Sequence, residues 1–111
     1  MNSGTLSSFP FSSNPNESKQ RPATIISNST YNIGTRDLIL CGITSVLSNA
    51  GFSIPISQAE MKKGIMPAKS LIKYRNIYTL RKDLIIKPIG RINSNKRKEL
   101  VKALDSLFNG S

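Results

Sequence analysis

The run Leu38-Ile39-Leu40-Cys41-Gly42-Ile43 is the stretch that most restricts what this chain can fold into. It is continuously apolar and β-branched in part, with Asp37 before it and Thr44-Ser45 after it. It is too short for a long helix and has no polar face to offer water. It therefore predicts a strand over 37–43 that is covered on both faces.

Other stretches supply its neighbours. Ala23–Ser27 is short and β-branched, and reads as a strand. Phe52, Ile54 and Ile56 alternate with Ser53, Pro55 and Ser57, which predicts a half-buried strand. Pro55 has no N–H to give and directs that strand to a sheet edge. Ser70 to Leu80 alternates with Leu71, Lys73 and Arg75 on one face and Ile72, Tyr74 and Asn76 on the other, giving a strand with a basic face. Leu84-Ile85-Ile86 reads as a short strand that ends in a turn at Pro88 and Gly90. Between these, Ser29–Arg36 reads as a loop and Lys62-Lys63-Gly64 as a basic turn. Residues 1–22 read as mostly irregular, with Phe9-Pro10-Phe11 as an apolar island that anchors on the core or flanks a groove.

The last element has a different period. Leu100, Leu104 and Leu107, with Val101, Ala103 and Phe108, recur at three- and four-residue spacing, which predicts a core-packed amphipathic helix over 95–108. Ser94 is its expected N-cap and Asn109-Gly110 its stop. Lys96, Arg97 and Lys98 crowd its first turn, where the helix dipole favours acids, so solvent screens them or an anionic partner uses them. Several short strands and one terminal helix suggest a small β-barrel or strongly bent sheet with the helix packed on it.

Charge is divided unevenly. In residues 1–61, Lys19, Arg21 and Arg36 are offset by Glu17, Asp37 and Glu60, so the whole net charge of +10 falls in residues 62–111. A basic half attracts polyanions, either nucleic acid or an acidic protein. The chain has no His and one Cys. That excludes a disulfide within the chain, a His-based triad and the usual zinc ligand sets, and no metal site is expected. Cys41, inside the apolar run, reads as buried filler rather than a reactive thiol. No apolar run is long enough for a membrane span, and the uncharged opening is unlike a secretory leader. A cytoplasmic protein without a membrane partner is the expectation.

Without His, chemistry falls to carboxylates, hydroxyls, Lys and Arg. Arg21-Pro22 stands directly before the first predicted strand, and Thr44-Ser45 directly after the second. A guanidinium at a strand end can stabilise charge developing on a phosphate, and a hydroxyl can donate or share a proton. A surface salt bridge from Arg21 to Glu17 and a turn cap by Thr44 account for the same residues equally simply. Tyr74 and Tyr78 interleave with Lys73 and Arg75, which suits either stacking on single-stranded nucleic acid or packing.

Taken in order, five stretches resemble the MazF/PemK toxin family. Phe9-Pro10-Phe11 followed by Arg21-Pro22-Ala23-Thr24-Ile25-Ile26-Ser27 is similar to the family's opening, and Asp37 to Ser45 to its apolar strand ending in ITS. Gly64-Ile65 to Lys73, then Ile77-Tyr78-Thr79-Leu80, then Ile89-Gly90-Arg91-Ile92 with the last helix, follow in family order. Arg75 departs from the pattern where many members carry an acid, and Tyr78 where Arg is frequent.

The resemblance implies a mainly β fold with a C-terminal helix, an SH3-like small barrel of the PemK/CcdB type. It covers residues 9–111 as one domain, with residues 1–8 a poorly ordered or truncated first strand. It implies a toxin of a toxin–antitoxin system that cuts single-stranded RNA without a metal or other cofactor, works as a homodimer and is blocked by an acidic antitoxin. Arg21 and Thr44 match the family's catalytic pair, and Ser45 a neighbouring position. Glu17 is a candidate proton acceptor, and Lys19, Lys73 and Arg75 are candidate RNA contacts beside Ser45. The competing reading is an inactive basic SH3-like module that holds RNA or an acidic protein by charge.

Overall fold

The two edges of the sheet are joined by a very short stretch of chain, and this sets the shape of the molecule. The structure, a computed structural model, describes residues 3–11, 19–48, 51–66 and 68–109, with only the backbone for residues 9–11, 19 and 20. Within these, β1 (Thr5–Phe11), β2 (Lys19–Ile25), β3 (Asp37–Thr44), β4 (Ile54–Ile56), β5 (Met61–Gly64), β6 (Ser70–Arg81) and β7 (Lys87–Ile92) form one sheet. Their order across it is β4-β6-β3-β2-β1-β7-β5, and all the paired neighbours are antiparallel. Laid flat, seven strands would hold their edges about 29 Å apart. The edge strands β4 and β5 are linked only by residues 57–60, which span at most about 14 Å. The sheet therefore curls into a half-barrel.

The link is itself built. The Ser57 N–H donates to Glu60 Oε1 at 3.0 Å, and the Ser57 hydroxyl donates to Glu60 Oε2 at 3.0 Å, which folds Gln58–Glu60 into a 3-10 turn. The Asn93 N–H then donates to the Glu60 carbonyl at 2.7 Å and ties the link to the start of the terminal helix. Gln58 fastens the end of β5, donating to the Gly64 carbonyl at 3.1 Å and accepting from the Met66 N–H at 2.7 Å.

β3 is covered on both faces, as its sequence requires. Cys41 and Ile43 join Leu6, Ile54, Ile56, Ile72, Ile92 and Leu100 in the main core, while Leu38 and Leu40 pack with Ala23 and Ile25 on the other side. Leu100 comes from the terminal helix α2 (Ser94–Asn109), the second helix after α1 (Ser29–Gly34). The expected edge position of the strand containing Pro55 is found in β4.

Several local expectations give way. The polar opening is not irregular: residues 5–11 form β1, paired on both edges, with Leu6 only 1% exposed. Pairing to two neighbours outweighs weak local propensity. The basic turn at 62–64 is edge strand β5, whose exposed lysines discourage further strand pairing. Leu84-Ile85-Ile86 is not a strand. Lys82–Leu84 is a 3-10 turn, and the strand is β7, which contains Pro88 and Gly90. Pro88 fits there because it lies beyond the stretch that β5 pairs.

The expected loop at 29–36 contains α1. The Tyr31 N–H donates to Asn28 Oδ1 at 2.9 Å, and the buried Asn32 amide donates to the Ser27 carbonyl at 3.1 Å. The Ser27 hydroxyl donates to Asn32 Oδ1 and accepts from the Ile39 N–H. Polar bonds rather than an apolar stripe hold this turn, so its sequence carries no helical period.

In α2 the cap is Asn93, one residue before the expected Ser94: its Oδ1 accepts from the Lys96 N–H at 2.8 Å. Lys96 is only 8% exposed, and its ammonium donates to Glu99 at 3.0 Å. Part of the crowded cationic turn is thus neutralised internally. The apolar stripe is narrower than predicted. Leu100, Ala103 and Leu104 pack on the core, while Val101 and Phe108 (70% exposed) sit about 80–100° round the helix from Leu100. Leu107, on the stripe but nearer its end, is exposed as well.

Two predictions follow from close packing. Gly64 and Gly90 face each other across β5 and β7, and a Cβ on Gly90 would stand 2.4 Å from the Lys63 carbonyl oxygen. Gly90→Ala should therefore lower unfolding stability by about 2 kcal/mol or more, checked by denaturant titration. Burial also pushes the Cys41 thiol up from 9.0 to about 12. Native protein should resist alkylation at pH 8 until it unfolds. Because the fold favours the neutral thiol, this contribution to stability is complete below pH 9 and is lost as pH rises toward 12.

Candidate functional site

The β2–β3 ladder ends where the chain chemistry requires. The pairs Ile25↔Leu40, Thr24↔Cys41 and Ala23↔Gly42 bring the register to Pro22, which has no N–H with which to continue it. Carrying the register on by two residues puts Arg21 opposite Thr44, on the same face as Ala23 and Gly42. The two strands part at this point, and both side chains line the opening.

Two adjoining grooves meet there. The larger, about 820 Å³, gathers side chains from β1, β2, β3, β6, β7 and the turn after β3, among them Ser8, Arg21, Thr44, Ser45, Ser70 and Lys87. Its apolar wall includes Ile43, Val46, Ile65, Met66 and Ile89. The smaller, about 450 Å³, runs over Gly42 between Arg21, Thr44, Lys73, Asn76 and Tyr78. Arg21 and Thr44 stand in both. Among the described residues no carboxylate lines either groove, so the local field is positive.

The Thr44 hydroxyl is oriented. Its Oγ1 accepts from the Val46 N–H at 3.1 Å, which closes a tight turn at the end of β3 and leaves the hydroxyl proton able to donate. The turn cap expected as an alternative is present, and it fixes the hydroxyl of a residue that lines both grooves. Arg21 is exposed, and its guanidinium can donate several bonds to one anion.

The sequence candidates divide as follows. Arg21 and Thr44 are brought together; Ser45 lines the larger groove and Lys73 the smaller. Arg75 is exposed and lines neither groove, because β6 bulges between Lys73 and Ile77. Glu17 lies outside the described residues, and so does the side chain of Lys19. Of the tyrosines, Tyr74 packs against the main core with Phe52 edge-on at 6.3 Å, while Tyr78 lines the smaller groove.

Sequence reading missed Lys87, Asn76 and Ser8. Lys87 was hidden by the misplaced turn and Asn76 by the bulge. Ser8, whose buried hydroxyl lacks a hydrogen-bond partner among the described residues, lies in a segment expected to be irregular. Among the described residues, no group of three or more His, Cys, Asp and Glu could hold a metal ion, and no helix is long and apolar enough to cross a membrane.

Comparison with known proteins places this architecture. A family model for the PemK-like, MazF-like toxin of type II toxin–antitoxin systems matches residues 5–108. A comparison with curated proteins gave no match. Among solved structures, the chain is similar to the Mycobacterium tuberculosis toxin MazF-mt6, at 16% identity and TM-score 0.76, covering 96% of this chain and 98% of that one. A mycobacterial endoribonuclease in complex with its cognate antitoxin gives 17% identity and TM-score 0.78, with 98% and 95% covered. A MazE–MazF structure from Deinococcus radiodurans gives 18% identity and TM-score 0.79, with 100% and 98% covered. At these identities the structural likeness speaks for the fold, while the family match spans nearly the whole sequence. The half-barrel with its terminal helix belongs to the PemK-like, MazF-like toxin family of type II toxin–antitoxin systems.

Proposed function

We propose that this chain is an endoribonuclease that cleaves single-stranded RNA without a metal. The observation that carries this reading is the meeting of Arg21 and Thr44 at the mouth of two grooves that no described carboxylate lines. RNA brings its own nucleophile, the 2′-hydroxyl, so the protein needs only to orient the reacting groups and stabilise developing charge. The 2′-oxygen bonds to phosphorus as it loses its proton, the bond from phosphorus to the 5′-oxygen breaks, and the departing 5′-oxygen takes a proton from solvent water. The products are a 2′,3′-cyclic phosphate and a 5′-hydroxyl. Arg21 binds the non-bridging oxygens as they gain charge, and Thr44 holds the phosphate through its remaining proton. Glu17 is the candidate acceptor of the 2′-hydroxyl proton. DNA, lacking that hydroxyl, is refractory.

Ser45, Lys73 and Lys87 extend the anion-binding track on either side, with Lys19 on β2 and, outside both grooves, Arg75 on β6 as further contacts. The partner that restrains the enzyme is an acidic antitoxin segment, supported by the +10 charge and by the similarity to an endoribonuclease solved with its cognate antitoxin. The working form is a homodimer in the cytoplasm.

The test is incubation of the purified protein with unstructured RNA in EDTA. The wild type should cut it and leave 2′,3′-cyclic ends, and Arg21→Ala should lower the rate about 100- to 1000-fold. Equal cutting by Arg21→Ala, or none by wild type, would overturn the reading.

A further inference from the structure

β6 carries a wide irregularity beside the site. Cys41 pairs with Ile77, but the next residue, Gly42, pairs with Lys73, so residues 74–76 have no partner on β3. In a regular strand, residues five apart point to opposite faces. An insertion of three residues reverses the phase, and Lys73 and Tyr78 come to the same side. Asn76 joins them, and all three line the smaller groove with Arg21 and Thr44. Gly42 leaves the floor as bare backbone. A Cβ there would lie 3.5 Å from Cε2 of Tyr78 and 3.9 Å from the Asn76 Cβ. Beside this floor Tyr78 is 40% exposed.

We infer that this corner is a nucleobase subsite for the nucleotide next to the scissile phosphate, an inference that rests on the ribonuclease reading. The three groups are those that a single unstacked nucleotide needs. Tyr78 gives the base a ring to stack on. Asn76 presents an acceptor and a donor side by side, which reads the hydrogen-bonding edge of a base. Lys73 sits where it can draw the phosphate of the same nucleotide. Because Arg21 and Thr44 form the other wall, a base held here fixes its own phosphate at the reacting groups. The bulge therefore sets which sequence is cut, and a regular β6 would have turned Lys73 and Tyr78 to opposite faces.

The experiment maps cuts in a library of single-stranded RNA with randomised positions. Wild type should show a base preference at a position adjoining the cut. Tyr78→Ala should lower cleavage about 5- to 150-fold, the worth of one stacked base. Tyr78→Phe, which retains the ring, should keep most of the activity. Asn76→Ala should flatten the preference at that one position. Asn76→Asp, now with two acceptors, should shift it toward guanine, whose N1–H and N2–H2 are adjacent donors.

Unchanged preference in both Asn76 variants, or equal losses in Tyr78→Ala and Tyr78→Phe, would overturn the subsite. If wild type cuts no RNA, the nuclease reading alone fails. The subsite is then read from binding of 2′-O-methyl RNA homopolymers. Wild type should prefer one base and Asn76→Ala should lose that preference, whereas equal affinities for all bases in wild type would overturn it.

Discussion

The link over residues 57–60 is the constraint on which the rest of the molecule depends. It joins the two outermost strands of a seven-stranded sheet with less chain than a flat sheet would need, so curling is geometrically required. The carboxylate of Glu60, taking the N–H and hydroxyl of Ser57, holds the link folded. Gly64 and Gly90 let β5 and β7 approach closely enough to complete the curl beside it.

The site follows from that closure. The larger groove draws walls from β6, near one edge of the sheet order, and from β7, near the other, and only a curled sheet turns both toward one space. At its mouth, Pro22 ends the β2–β3 ladder and leaves Arg21 and Thr44 facing across the gap. Rigid strands behind this gap explain how two ordinary surface residues can be held in fixed relation, which is the condition for preorganised charge stabilisation. The same rigidity gives the β6 bulge its effect, since its change of phase is locked by pairing to β3 on both sides.

What the sequence revealed depended on the scale of the cause. The buried strand β3, the edge strand with Pro55 and the terminal helix were legible because periodicity and proline chemistry act within a few residues. Thr44 was legible as the end of β3, whereas Arg21, expected just before a strand over 23–27, lies inside β2, which begins at Lys19 because β1 pairs with it there; the family resemblance added their pairing. Elements made by distant partners were not legible. β1 and β5 exist because neighbours pair with them, and α1 because Ser27, Asn28 and Asn32 bond its backbone and one another. The bulge in β6 has no mark in Lys73-Tyr74-Arg75-Asn76, whose even alternation suggested a basic face. It separated Arg75 from the groove and brought Asn76 and Tyr78 into it.

The central claim is that the Arg21 guanidinium and the Thr44 hydroxyl act on one phosphodiester as a unit. A double-mutant cycle on RNA cleavage, comparing wild type, Arg21→Ala, Thr44→Ala and the double variant, measures this directly. The account predicts strong coupling, with the double variant little slower than the worse single one. Losses that simply multiply, as for two independent residues, would contradict it.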